Sequence, residues 1–208
     1  KKKAWLDGDW DIFAGQYFET FNYDVHVTEP NMVPDLTIPD LDIWCALDYG
    51  FKHYTVCYLF CQYDGVIYVV DEYAARRELI STNVAGINQM LEDNGLDVSD
   101  LSNFVAGADV FAKKGDTGES FADEFSRCGI NLRSANVARK AGAGKILQML
   151  GDVKQGIEPS LKISSRCTGL IECLPAMMHN PKDPEDVLKV DTDDQGRGGD
   201  DHYDAFRY

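Results

Sequence analysis

The sequence predicts a mixed α/β sheet with helices on both faces, in which a three-strand antiparallel meander is followed by alternating helices and strands. Two apolar runs rich in β-branched and aromatic residues, "YTVCYLFCQY" and "VIYVVDEY", are joined by Asp64-Gly65, the strongest short hairpin signal in the chain. A third such run, "DIWCALD", lies just upstream, which makes the first three strands antiparallel neighbours. Downstream, segments of helical period alternate with short strand-like runs, the pattern of a mixed sheet.

Taken in order, residues 1–40 mix aromatics, acids and prolines without a sustained period, and are expected to form an arm or linker that packs onto a domain spanning 41–208. Strand one, 42–48, closes on Asp48 ahead of the turn-forming Gly50. From Arg76 to Asn94 the apolar residues Leu79, Ile80, Val84, Ile87 and Leu91 recur at helical spacing, with Gly95 as the stop. "NFVAGAD" reads as a strand ending in the carboxylate of Asp109. "GESFADEFSRCG" reads as a helix, "INLRSA" as a strand, "AGKILQMLGDV" as a helix, "LKISS" as a strand and "CTGLIECLPAMMH" as a helix ending before Pro181. Residues 180–199 are expected to be an extended loop or hairpin leading to a final helix that begins near Asp200. No internal repeat is visible.

Charge narrows the function. The 208 residues carry 35 Asp and Glu against 20 Lys and Arg, a net charge of −15, which excludes a surface that attracts nucleic acid everywhere and leaves only local basic strips for that purpose. An acidic balance also suits a protein that gathers carboxylates for a divalent metal. Six cysteines lie in no CxxC pair and beside no histidine at zinc-ligand spacing, so buried, reduced thiols are expected. No apolar run approaches the ~20 residues needed to span a bilayer, and "KKKAWLDGDW" lacks the apolar centre of a signal peptide, so neither membrane insertion nor secretion is expected. Starting on three lysines and stopping on "AFRY" within a helix, the sequence reads as part of a longer chain.

Familiar chemical motifs are absent. A P-loop around Gly144-Lys145 would need glycine where Arg139 stands and Ser or Thr where Ile146 stands. "DTDDQGRGGDDH" has Asp191, Asp193 and Gly196 at calcium-loop positions, but His202 where a bidentate Glu is required. None of the four histidines sits in a nucleophile context.

Carboxylates at the ends of elements remain. Asp48 and Asp109 close strands, and Asp200, Asp201 and Asp204 open the last helix, with Asp201 and Asp204 three apart on one face. Three or four such acids make a hard, oxygen-only site suited to magnesium or manganese. Two ions ~4 Å apart can activate a water and stabilise the leaving oxygen in phosphodiester hydrolysis. Against this stand ordinary roles: Asp200 or Asp201 as a helix cap, acids favoured by the helix dipole, and Asp48 or Asp109 as turn residues. Glu72 reads as a solvated residue or one that orients a ligand.

The strand order, with acids on the first strand, the fourth strand and a late helix, resembles the ribonuclease H-like nuclease fold. "DHYDA" at 201–205 is similar to the Asp-x-x-Asp-Ala helix start of Holliday-junction resolvases in that superfamily. More closely, "WLDGDWDIFAGQYF", "ALDYG", "DGVIYVVDEY", "GAD" and "DDHYDAFRY" together resemble the large subunit of a tailed-bacteriophage terminase, along nearly the whole chain. The resemblance implies the C-terminal nuclease of a DNA-packaging motor, preceded in the full-length chain by an ATPase domain. It implies a metal-dependent endonuclease cutting concatemeric double-stranded viral DNA with little sequence specificity.

By the same resemblance Asp48, Asp109 and one acid of the last cluster hold one or two Mg2+ or Mn2+ ions. Asp201 is the first choice for the third ligand, with Asp200 and Asp204 as further candidates. Residues 180–199 match the family's mobile hairpin, although Asp191, Asp193 and Asp194 are awkward near DNA. DNA contact falls to Lys113, Lys114, Arg133, Arg139, Lys140 and Lys145, or these are plain surface charges. The small terminase subunit and the portal protein are the implied partners, in host cytoplasm and transiently at the procapsid portal. Two other readings stay open: a junction resolvase or ribonuclease of the same fold, and a non-catalytic acidic docking module.

Overall fold

The computed structural model describes residues 15–115, 118–193 and 198–208. A seven-stranded mixed sheet forms its centre, in the order β1 (Val27–Thr28), β7 (Leu161–Ser164), β4 (Val66–Arg76), β3 (Tyr54–Tyr63), β2 (Asp42–Asp48), β5 (Asn103–Ala106) and β6 (Arg133–Ser134). The meander comprises β2 (Asp42–Asp48), β3 (Tyr54–Tyr63) and β4 (Val66–Arg76), paired antiparallel as expected. Asp64 and Gly65 turn the hairpin with φ of +49° and +76°, the two positive values a type I′ turn demands. β3 is central and covered on both sides, so nearly its whole run is buried: Val56, Tyr58 and Phe60 face one core, Cys57, Leu59 and Cys61 the other.

The chain then crosses through α2 (Ile80–Asp93) to β5 (Asn103–Ala106), which lies parallel to β2. This helix starts later than its apolar spacing predicts, because Arg76 pairs with Tyr54 and the ladder holds "EYAAR" extended. Pairing here overrides the local helical preference of alanine. After α3 (Phe121–Arg127) comes the parallel edge strand β6 (Arg133–Ser134), only two residues of the expected "INLRSA" strand. α4 (Arg139–Leu150) begins earlier than predicted and places Lys145 in its second turn rather than at its start.

β7 (Leu161–Ser164) joins parallel to β4. α5 (Thr168–Cys173) stops sooner than expected, since Pro175 has no N–H to continue it and the chain tightens into a 3-10 turn, Leu174–Ala176. A hairpin of β8 (His179–Asn180) and β9 (Asp183–Val187) follows, and α6 (Asp201–Arg207) ends the chain.

The expected arm is not wholly separate from the domain. Its residues 1–14, with most of "WLDGDWDIFAGQYF", lie outside the described residues. Residues 15–40, however, build part of the domain. Tyr17, Phe18 and Phe21 are buried in the core, α1 (Tyr23–His26) follows, and β1 (Val27–Thr28) pairs parallel with β7 as an edge strand. A two-residue strand is too short to leave a periodic signal.

Two cores sandwich the sheet. One gathers Phe18, Tyr58, Leu150, Leu170, Tyr203 and Phe206 beneath α4, α5 and α6; the other gathers Leu59, Ile87, Leu91, Phe125 and Ile130 beneath α2 and α3. All six cysteines are free, five of them buried. Among the described residues no helix is long and apolar enough to cross a membrane.

Candidate metal centre

β2 and β5 run side by side and finish level, Leu47 opposite Ala106, so the residues that follow both strands emerge at one end of the sheet. Asp48 is the last residue of β2. Asp109 does not close a strand as expected. β5 ends at Ala106, and Asp109 sits exposed in the 3-10 turn Ala108–Phe111. Gly107 makes the bend between them: a side chain there would come within 2.8 Å of both the Asp109 carboxylate and the Tyr208 hydroxyl. The Tyr208 hydroxyl in turn donates to Asp48 Oδ1 at 3.1 Å.

α6 brings the remaining acids to the same end. Its Tyr203, Ala205 and Phe206 are buried in the core, which turns Asp201 and Asp204 toward the strand ends. Asp201 Oδ2 accepts the backbone N–H of Tyr54, the first residue of β3, at 3.2 Å. His53 stands 3.8 Å from the other oxygen of Asp201.

The electrostatics single out Asp48. Burial, then the charges of Asp204, Asp109 and Asp201 in falling order, push its carboxyl up from 3.8 to about 7 against the single hydrogen bond from Tyr208. Asp204, not the first choice Asp201, is therefore the last-helix acid that bears most on Asp48. Asp201 is itself raised, by burial first, with the Tyr54 N–H and the two neighbouring histidines opposing.

Asp200 takes the N-cap position but its side chain caps nothing. It is 4% exposed and turns to Arg139 at 3.2 Å, and burial together with Asp204 still raises its carboxyl. Arg139 also donates to both oxygens of Asp204, at 2.9 and 3.2 Å, while Arg207 donates to Asp204 Oδ1 at 3.1 and 3.0 Å. Lys140 bridges to Asp183 at 2.6 Å and Glu185 at 3.7 Å. Two of the six residues expected to meet DNA are thus paired with carboxylates of the protein, Arg139 largely enclosed and Lys140 at the surface.

The other four are dispersed. Lys114 pairs with Glu124 at 3.4 Å and lies over the Phe121 ring, and Lys113 is exposed beside it. Arg133 lines a cleft of about 650 Å³ beside the start of β5, and Lys145 is exposed on α4. Of the acidic loop, Asp191 and Asp193 are exposed, and Asp194 lies outside the described residues.

A support escapes the sequence. Glu72 accepts the backbone N–H groups of Gly169 and Leu170, both at 2.9 Å, at the start of α5. It faces His202, whose Nδ1 is 2.7 Å from the Tyr58 hydroxyl. Burial works to raise the Glu72 carboxyl, but His202 and the two N–H groups outweigh it and hold the carboxyl down. Glu72 is thus a buried anchor for α6, not a solvated residue. Arg207, three residues after Asp204, was the one counter-ion whose spacing could have revealed it.

Among the described residues no three His, Cys, Asp or Glu side chains stand close enough together to hold a metal ion. The chemistry of the donor set, though not its spacing, suits a hard divalent ion. It is all oxygen, and it holds a partly buried carboxylate raised first by desolvation and then by three like charges, which a cation would relieve.

The sequence matches no protein-family model and no curated protein. Solved structures do match. The large terminase of a thermophilic bacteriophage superposes with a TM-score of 0.68 and 19% identity, over 93% of this chain and 44% of that one. The P22 large terminase nuclease domain gives 0.65 and 13%, over 93% and 90%. The large terminase nuclease of thermophilic phage G20c, with bound cobalt and with bound magnesium, gives 0.58 and 16% in each case, over 93% and 95%. The chain thus spans less than half of the first of these proteins and nearly all of the isolated nucleases, and it has their ribonuclease H-like fold.

Proposed function

We propose that this chain is the nuclease domain of a viral large terminase, a divalent-metal-dependent endonuclease that cuts concatemeric double-stranded DNA with little sequence specificity. The observation that carries the reading is Asp48: partly buried at the end of the central strands, raised to about 7, with Asp109, Asp201 and Asp204 bearing on it. The fold shared with terminase nucleases, one of them solved with cobalt and with magnesium, supports it.

Asp48, Asp109 and Asp204 would hold the metal, with Asp201 beside them. One or two Mg2+ or Mn2+ ions would polarise the scissile phosphate and lower the pKa of the attacking water. Tyr208 orients the Asp48 carboxylate through its hydroxyl. Arg139 and Arg207 fix Asp204 from behind, and Tyr54 fixes Asp201. No residue is needed as a covalent nucleophile. The full-length protein would add the ATPase domain and meet the small terminase subunit and portal at the procapsid in host cytoplasm.

Plasmid nicking in manganese tests this. Asp48→Ala and Asp109→Ala are expected to abolish it with the fold intact, and cleavage retained by both variants refutes the reading. A strong preference for four-way junctions or RNA–DNA hybrids over linear duplex would favour the resolvase or ribonuclease alternative. Calorimetry with manganese excludes the docking module if a saturable site disappears in Asp48→Ala.

A further inference from the structure

With Arg139 and Lys140 engaged by carboxylates, the cations nearest the acids lie on another segment. The turn 49–53, which joins β2 to β3, stands directly beside the acids: it begins after Asp48, and its His53 and the following Tyr54 both approach Asp201. The turn carries Phe51, 53% exposed, and Lys52, also exposed. The end of β4 is tied to it, since the Arg77 N–H donates to the Phe51 carbonyl at 2.9 Å. Arg77 adopts φ of +61°, which few residues other than glycine do; it follows the last residue of β4 and is exposed.

Six basic residues elsewhere are already engaged, whereas Lys52 and Arg77 stand at this turn without such a partner among the described residues. Lys114, Arg127, Arg139, Lys140, Arg166 and Arg207 are each taken up by a carboxylate. No described carboxylate pairs with Lys52 or Arg77. Thr192 touches His53 on one flank, so the acidic stretch with Asp191 and Asp193 borders the turn on that side. In a chain of net charge −15, a polyanion can be held only where cations stand uncompensated. An exposed phenyl between them adds a surface for a sugar or base face.

We propose that Phe51, Lys52 and Arg77 form the rim that grips duplex DNA next to the metal centre, an inference that rests on the nuclease reading. Lys52 and Arg77 bind phosphates flanking the cut, and Phe51 packs on the sugar and base edge between them. These contacts position the strand without reading its sequence.

The test is anisotropy of a labelled short duplex titrated with the protein in EDTA at several KCl concentrations, alongside plasmid nicking in manganese. Each lost phosphate contact removes about 0.9 from the slope of log K against log [KCl]. Lys52→Ala/Arg77→Ala is therefore expected to lower the slope by about 1.8 and to weaken binding at least about tenfold at low salt. Phe51→Ala is expected to weaken binding about fivefold with the slope unchanged. None of the three side chains is buried in the core, so melting temperatures should match the wild type. If the wild type binds and nicks DNA while the variants keep its affinity and slope, the rim is refuted and the nuclease reading stands. If the wild type neither binds nor nicks, the nuclease reading falls and the rim with it.

Discussion

Replacing Asp48 by asparagine should make the metal-free protein more stable while removing its activity. The carboxyl is raised from 3.8 to about 7, by burial first and then by Asp204, Asp109 and Asp201. Because its folded value lies above its unfolded one, the folded state keeps a proton that the unfolded state has already released. The protonated group's contribution is whole below about pH 4 and is lost as the pH rises through about 7. Carrying the ionised group therefore costs the fold about 4 kcal/mol at about pH 8.

Asparagine keeps the shape and can still accept the Tyr208 hydroxyl, but carries no charge. For a domain of this size about 1 kcal/mol moves the melting temperature by roughly 2–4 °C. Asp48→Asn should then melt about 10 °C above wild type at about pH 8 in EDTA, and level with it at about pH 4. Calorimetric melting across that range is the assay. Added magnesium should narrow the gap by stabilising only the wild type. Equal melting at both ends of the range, or a less stable variant at the alkaline end, would refute the idea that Asp48 is an uncompensated charge awaiting a cation.

Arg139→Ala strips the buried Asp200 of its partner, and removing one member of a buried pair is expensive; a loss of about 3 kcal/mol is expected in denaturant melts. Gly169→Ala drives a methyl into the His202 ring beside Glu72, and should cost about 2 kcal/mol by the same measurement. Asp200→Asn should leave manganese affinity by calorimetry nearly unchanged, whereas Asp48→Asn should abolish binding. In a thiol titration of native protein only the half-buried Cys128 should react promptly, because the other five are buried and burial raises Cys61 and Cys173 to about 12.

Legibility from sequence followed the range of the physics involved. The Asp64-Gly65 turn and the strands it joins depend on neighbouring residues, and both were readable. The helix over 80–93 was readable in type but not in its start, because the rung between Tyr54 and Arg76 is set by a partner on another strand. Asp48 could be placed at a strand end from its own run. Asp109 could not, since β5 stops where its pairing with β2 stops. Arg139 gave no sign of its role, because it meets Asp200 and Asp204 more than sixty residues on. The arm hid β1 for the same reason, since its pairing with β7 is fixed far downstream.

The crowding of acids at the start of α6 has an answer that differs from the simple one of metal neutralisation. Asp200 is neutralised by Arg139, Asp204 by Arg139 and Arg207, and Asp201 is held by the Tyr54 N–H. Each of the three has a protein partner, so their proximity in sequence is tolerable in the folded chain without a cation. Asp48 has only the Tyr208 hydroxyl, yet it feels Asp109, Asp201 and Asp204 together. The unmet demand for positive charge is thus displaced from the helix where the acids are densest to the strand end where one acid stands alone. The arginines hold the helix acids in place without satisfying Asp48, which leaves a divalent ion one position at which it gains most.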